Sequence, residues 1–129
     1  MLQKDNRLTK VRDFNLLMKY GSWINGRLFN VKALELAKFE NYFPKMEDKD
    51  NFKKQLRIAV NVGVKVSKSA VKRYRLKRQA SEVVRLLLKE RSLKNGYYIL
   101  INAKSDVLEK DYPEISEEIK LLLKKSGLI

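Results

Sequence analysis

The sequence predicts an α+β fold in which helices pack on a small mixed sheet, and three stretches carry that prediction. LRIAVNVGVKV, residues 56–66, alternates without a break: Ile58, Val60, Val62 and Val64 fall on one face, and Arg57, Ala59, Asn61, Gly63 and Lys65 on the other. YYILINA, residues 97–103, is a short apolar run of strand length. Between them AVKRYRLKRQASEVVRLLLKER repeats apolar residues at helical spacing, and at about 100° per residue Leu76, Ala80, Val83, Val84 and Leu87 make one stripe able to seat a helix on the sheet.

The remaining elements follow in chain order. Thr9 precedes VRDFNLLMKY as an N-cap, with Val11, Phe14, Leu17 and Met18 at helical spacing and Gly21 as the stop. Residues 27–37 alternate in part, placing Phe29, Val31 and Ala33 on one side of a half-buried strand and Asn30 and Lys32 on the other. The stretch from Lys38 to Lys54 mixes aromatics, one proline and dense charge without a period and reads as a connecting loop, its Asp48 and Asp50 serving to solvate it. Ser67 or Ser69 can cap the long basic helix, whose end is expected near Asn95-Gly96. Pro113 opens a last helix with Ile115, Ile119, Leu122 and Leu123 in a stripe and Gly127 as its C-terminal stop. The order is α, β, β, α, β, α, with one further short strand admitted before the long helix. Repeats, low-complexity tracts and linkers are not evident, so residues 1–129 form one domain.

Composition narrows the function. Lysine and arginine number 29 against 15 acidic residues, a net charge of +14, while apolar residues reach 44%, enough to bury a core. Such an excess repels itself in a compact chain and is relieved by a polyanion, with counterion release as the gain. Nucleic acid is the expected partner. A membrane is not expected, because no apolar run reaches spanning length and the start MLQKDNRLTK is polar. Cysteine and histidine are both absent, which removes the thiolate nucleophile, the commonest general base and the commonest zinc ligand. Cytoplasmic residence and a protein without catalytic side chains of its own are the expectations; no cofactor or metal bound by its side chains is foreseen.

The charge is concentrated. Between Lys65 and Arg91 lie Lys65, Lys68, Lys72, Arg73, Arg75, Lys77, Arg78, Arg85, Lys89 and Arg91 against Glu82 and Glu90, more than half of the net charge. The cations of the first two helical turns point all round the axis, Arg73 toward the sheet and Arg75 and Arg78 away from it. A scattered basic face would be mere solvation. Concentrated, unpaired arginines suit bidentate phosphate contact or stacking on bases, aided by the helix N-terminus.

The run Arg73-Tyr74-Arg75-Leu76-Lys77-Arg78, preceded by Ala70-Val71 and followed by Glu82, resembles the RNR-x-KR signature of the bacterial ribonuclease P protein family. The resemblance covers nearly the whole chain in order: Arg7-Leu8, Asp13-Phe14 and Gly21, then Leu56-Arg57-Ile58, Gly96-Tyr97 and the strand ending at Ala103, and finally residues 123–128. Tyr74 stands where asparagine is usual, Met18 where a second aromatic is common, Ser81 where an arginine often lies, and residues 65–69 replace the usual turn. The resemblance implies a left-handed crossover joining two parallel strands through the basic helix, against the general right-handed rule. It also implies a non-catalytic subunit of a tRNA 5′ endoribonuclease, with a catalytic RNA that uses magnesium and a precursor tRNA as partners, and no DNA. Lys68, Lys72, Arg73, Arg75, Lys77 and Arg78 would meet the catalytic RNA. Phe14, Arg57, Asn61 and Lys65 would line a cleft for the single-stranded 5′ leader. Phe29 and Trp23 have packing roles as an alternative, Trp23 above all, and Phe14 is balanced between core and cleft. A general RNA-binding or ribosome-assembly protein using the same basic helix is the alternative function.

Overall fold

The computed structural model describes residues 6–38 and 55–129. The loop expected from Lys38 to Lys54 therefore lies outside the described residues except for Lys38 itself. Among these residues three α-helices and four strands follow in the order α1 (Val11–Tyr20), β1 (Ser22–Asn25), β2 (Phe29–Glu35), β3 (Leu56–Asn61), α2 (Ala70–Lys89), β4 (Tyr97–Ala103) and α3 (Tyr112–Lys125). The sheet order is β1-β2-β4-β3. β1 with β2 and β2 with β4 are antiparallel, whereas β3 runs parallel to β4 and is joined to it through α2. The α+β class and the mixed sheet are as expected, and β1 supplies the additional short strand, placed ahead of β2.

The sheet is covered on both sides. On one face Phe29, Val31, Ile58, Val60, Ile99 and Ile101 meet the stripes Leu76, Ala80, Val83, Val84, Leu87 of α2 and Ile115, Ile119, Leu122, Leu123 of α3 in the larger core. On the other, α1 contributes Leu17 to a smaller cluster with Leu8, Leu34, Leu36, Tyr98 and Leu100. Strand β2 is thus buried on both faces rather than half-buried: Leu34 is inaccessible and even Lys32 is almost so. Burial on both faces is what a central strand of a layered fold requires, and it erases a clean alternation from the sequence.

Several boundaries differ from the sequence expectation. Lys10, not Thr9, occupies the N-cap of α1, and its side chain makes no capping bond. Strand β3 stops at Asn61, because residues 63–66 turn back, with the Val66 N–H on the Gly63 carbonyl at 3.0 Å, and send Val66 rather than Val64 into the core. Helix α2 ends at Lys89, well before Asn95-Gly96. Arg91 adopts a left-handed φ of 56°, and the Ser92 N–H reaches back to the Leu87 carbonyl at 3.0 Å. That is the closing geometry usually given to glycine, here taken by an arginine, so the chain carries no glycine signal at the true end. Gly96 instead joins strand ends, donating to Gln55 and accepting from Leu36. Helix α3 is capped by the Asp111 side chain on the Glu114 N–H, and Gly127, at φ 78°, closes it as expected. None of the described helices is long and apolar enough to cross a membrane.

Gly21 ends α1 for a steric reason. Its φ of −69° suits any residue, but a Cβ there would lie 2.5 Å from the Leu17 carbonyl oxygen and 3.0 Å from Lys32 Cγ. Gly63 has nothing within 4 Å. Gly21→Ala is expected to destabilise the chain by about 1–3 kcal/mol in urea denaturation, through forced displacement of α1. Gly63→Ala should be neutral or stabilising by up to about 1 kcal/mol, since only the unfolded chain loses freedom.

Candidate nucleic-acid interface

The first turns of α2 form a cationic knob held by short-range hydrogen bonds. Of the two candidate caps, Ser69 does the capping: its Oγ accepts the Lys72 N–H at 3.4 Å. Ser67 braces the approach, its Oγ accepting the Ser69 N–H at 3.1 Å and its carbonyl accepting Arg73 Nη1 at 2.8 Å. Arg73 is accordingly half-buried and directed back along the turn. Lys68, Lys72, Arg75, Lys77 and Arg78 are exposed. The Arg78 guanidinium lies 5.7 Å from the centre of the exposed Tyr74 ring, a cation–π contact. No acid occupies the first turn of α2, so the partial positive charge of its N-terminus adds to these side chains.

Not every cation of the basic stretch is open. Arg85 forks onto Glu82 through bonds of 2.8 and 2.6 Å. The arginine holds the Glu82 carboxyl below its usual range, and the carboxylate in turn raises the guanidinium. Arg85 is therefore paired, contrary to the expectation that the whole stretch is unpaired; the exposed cations of the signature turns lie N-terminal to Ala80, and Lys89 and Arg91 are exposed at the far end of the helix.

A groove of about 450 Å³ runs between α1 and the sheet, lined by Leu8, Phe14, Met18, Trp23, Ala59, Val60, Asn61, Leu100 and Asn102. Phe14, Met18 and Trp23 are 36%, 40% and 45% exposed, three large apolar side chains left open in one place. The wall is fixed from below. Lys32, almost fully buried, donates through Nζ to the Met18 carbonyl in the last turn of α1 and sits 5.2 Å from the Trp23 ring. Asp13, the other buried residue of α1 beside Leu17, pairs with Arg12 at 3.4 Å and lies near Tyr98. Burial first, and then the Asp13 carboxylate, push the Tyr98 phenol well above its usual range, so it stays a neutral hydroxyl beneath α1.

Of the residues expected at the cleft, Phe14 and Asn61 come together in this groove. Arg57 and Lys65 do not line it. Arg57 shares the strand face of Asn61 but turns to Gln55 Oε1 and the Arg7 carbonyl, each at 3.4 Å, at the other end of β3. Lys65 lies beyond the strand, in the turn that follows Asn61, where its carbonyl accepts the Ser105 hydroxyl at 3.3 Å. Strand parity could not place it once the strand had ended. Trp23, favoured as packing, instead forms groove wall, whereas Phe29 is core at 2% exposure. Lys32 and Asn102 carried no signal of their own; both depend on strand pairings, Trp23 with Lys32 and Asn61 with Asn102.

The groove opens toward α2. Residues 6–8 run along the edge of β3, with the Leu8 N–H on the Ile58 carbonyl at 3.1 Å and Asn6 Nδ2 on the Leu56 carbonyl at 2.9 Å. A second hollow there is bordered by Arg7, Thr9, Ile58, Lys77 and Ser81, and it shares Leu8, Ala59 and Val60 with the groove. Aromatic and cationic surfaces are thus contiguous around the β3 edge. Among the described residues no three acidic side chains converge as a metal site would require.

The family model described as Ribonuclease P matches residues 2–127. The chain belongs to the ribonuclease P protein family. A ribonuclease P protein component from Clostridium acetobutylicum is 33% identical over 98% of this chain and 92% of its own length. One from Prochlorococcus marinus (strain MIT 9215) is 30% identical over 99% and 98%. The component from a Synechococcus strain is 43% identical over 72 residues, 56% of this chain and 53% of that protein. Solved RNase P proteins share the fold: the Staphylococcus aureus protein superposes with a TM-score of 0.74 at 20% identity, covering 97% of this chain and 98% of its own. The Thermotoga maritima protein gives 0.68 at 22%, covering 92% and 96%. Membership in the ribonuclease P family places the chain in a tRNA-processing ribonucleoprotein endonuclease and implies an RNA partner.

Trp23 is the single tryptophan, so its fluorescence reports the groove directly. Lys32→Met should shift that emission and lower the stability by about 1–2 kcal/mol, through loss of the cation–π contact and of the bond to the Met18 carbonyl. Fluorescence-monitored denaturation reads both.

Proposed function

We propose that this ribonuclease P protein binds the catalytic RNA through the exposed cations of α2 and holds the 5′ leader of precursor tRNA in the groove beneath α1. The contiguity of the two surfaces around Leu8, Ala59 and Val60 is the observation that carries the reading. Single strands bind where aromatic faces accept stacked bases beside a positive surface, each stack contributing roughly 1–3 kcal/mol and tolerating sequence. Phe14 and Trp23 provide such faces, and Arg75, Lys77 and Arg78 with Lys68, Lys72 and Arg73 provide the charge. Arg57 and Lys65 would flank the leader outside the groove proper, as phosphate contacts.

Hydrolysis of the phosphodiester belongs in this reading to the RNA subunit and its magnesium ions. The chain's part is to position the leader and to screen phosphate repulsion, which raises precursor affinity and eases the magnesium requirement. Among the described residues no carboxylates converge into a cage for a resident metal. The same reading places the chain in the cytoplasm with its precursor-tRNA substrate, without a role at membranes or on DNA.

Reconstitution with a cognate catalytic RNA at low magnesium tests the proposal. The protein should stimulate 5′ maturation and favour precursor over mature tRNA; stimulation without leader preference would instead indicate a general RNA-binding or ribosome-assembly clamp. Arg75→Ala combined with Lys77→Ala should weaken binding to the catalytic RNA and flatten its dependence on log salt by about 1–2 units of slope, measured by filter binding across salt concentrations. Phe14→Ala should reduce the preference for leader-containing precursor by about fivefold or more, with little change in binding to the catalytic RNA. Equal loss of both would merge the two surfaces into one.

A further inference from the structure

The strand registers align four asparagines in one row across the sheet. Asn25 pairs with Asn30, Asn30 with Asn102, and Asn102 with Asn61, so each strand contributes one asparagine at the same level. Directly paired residues share a face, and Asn61 and Asn102 put that face in the groove. The neighbouring row is Trp23, Lys32, Leu100 and Ala59, of which Trp23, Leu100 and Ala59 line the apolar part of the groove over the buried Lys32. The asparagines are its polar continuation.

Asparagine is disfavoured in strands, and packing does not explain four of them in a row. Asn25 and Asn61 are exposed, Asn30 and Asn102 half-buried. Asn61 Nδ2 donates to Asn102 Oδ1 at 2.7 Å, and Asn30 Oδ1 accepts the Gly26 N–H at 3.3 Å. Each amide has four hydrogen-bonding positions, so the Asn61–Asn102 pair, with one mutual bond, still presents an acceptor on one side and donors on the other. Reversing both amides exchanges the two roles without removing either.

An adjacent donor and acceptor at the polar end of a stacking groove suit a group that donates and accepts through one atom. The ribose 2′-hydroxyl is such a group, and it is what distinguishes RNA from DNA at a binding site. It is also the same on every nucleotide. A groove that takes leaders of varied sequence by stacking keeps that tolerance if its polar contacts go to the sugar, and loses it if they go to base edges. We infer that the Asn61–Asn102 pair, within its four-asparagine row, recognises the ribose 2′-hydroxyl of the single strand in the groove and selects ribose over deoxyribose without reading the base. The inference rests on the leader groove proposed above.

The test uses the holoenzyme reconstituted with its cognate RNA and precursor tRNAs of one body sequence. The nucleotides flanking the scissile bond stay ribose; the upstream leader is either ribose or 2′-deoxyribose. The deoxy leader should bind the wild-type holoenzyme about three- to tenfold more weakly, as expected for loss of one or two hydrogen bonds. In Asn102→Ala and in Asn61→Ala the two leaders should bind alike, because the ribose leader falls to the affinity of the deoxy one. Base exchanges in the ribose leader should alter wild-type affinity by no more than about twofold. Asn61 is exposed at a strand end, so its variant keeps the test valid should Asn102→Ala fold poorly. A wild-type protein indifferent to the sugar, a penalty that persists in the variants, or variants that change base preference instead would each overturn the inference. Failure to prefer precursor over mature tRNA would instead overturn the groove assignment itself.

Discussion

Strand β4 is paired on both edges and buried on both faces, and the placement of everything else follows from that. Its Ile99 and Ile101 enter the core shared with α2 and α3, while Tyr98 and Leu100 enter the smaller one beneath α1. Antiparallel pairing to β2 and parallel pairing to β3 then fix where both partners lie. A one-residue slip of β4 would exchange the two cores, placing a tyrosine and an asparagine among the aliphatic side chains of α2. The groove floor and the seat of the basic helix thus come from opposite faces of one strand.

The two faces are built differently because they serve different ends. The α2–α3 side is a dry aliphatic core that supplies the bulk of burial energy. On the α1 side only Leu17 and Asp13 of the helix are buried, and polar contacts do the rest: Lys32 on the Met18 carbonyl, and Asp13 near the Tyr98 hydroxyl. A helix so lightly seated leaves Phe14, Met18 and Trp23 open. That open apolar surface is what the stacking of single-stranded RNA proposed above would use. The net charge of +14 fits the same picture, since a bound polyanion would relieve its self-repulsion.

Legibility varied with how local each signal is. The stripes of α2 and α3 and the extent of β4 were readable because 3.6-residue periodicity and a continuous apolar run survive in the chain itself. The end of α2 was not, because Arg91 takes a conformation that glycine or asparagine ordinarily marks in a sequence. Lys65 was carried into the cleft by alternation that outlasts the strand: Val62 and Val64 keep the pattern although the backbone has already turned after Asn61. Trp23 carries no groove signal in the sequence, because its strand, β1, is four residues long and has meaning only against β2.

The sequence by itself determined the class of fold, the absence of thiol and imidazole chemistry, the position of the cationic turns of α2 and, through the ordered motif, the family. These depend on composition and on neighbours within a few residues, which the chain states directly. Only the tertiary structure decided which of those cations are open, that Trp23 and Asn102 join Phe14 and Asn61 in one groove, that Lys32 supports it from below, and that four asparagines distant in the chain stand in one row. Those facts are set by strand register and by the turn of α1 over the sheet, which bring together residues as distant in the chain as Phe14 and Asn102, and no local periodicity encodes a register between strands.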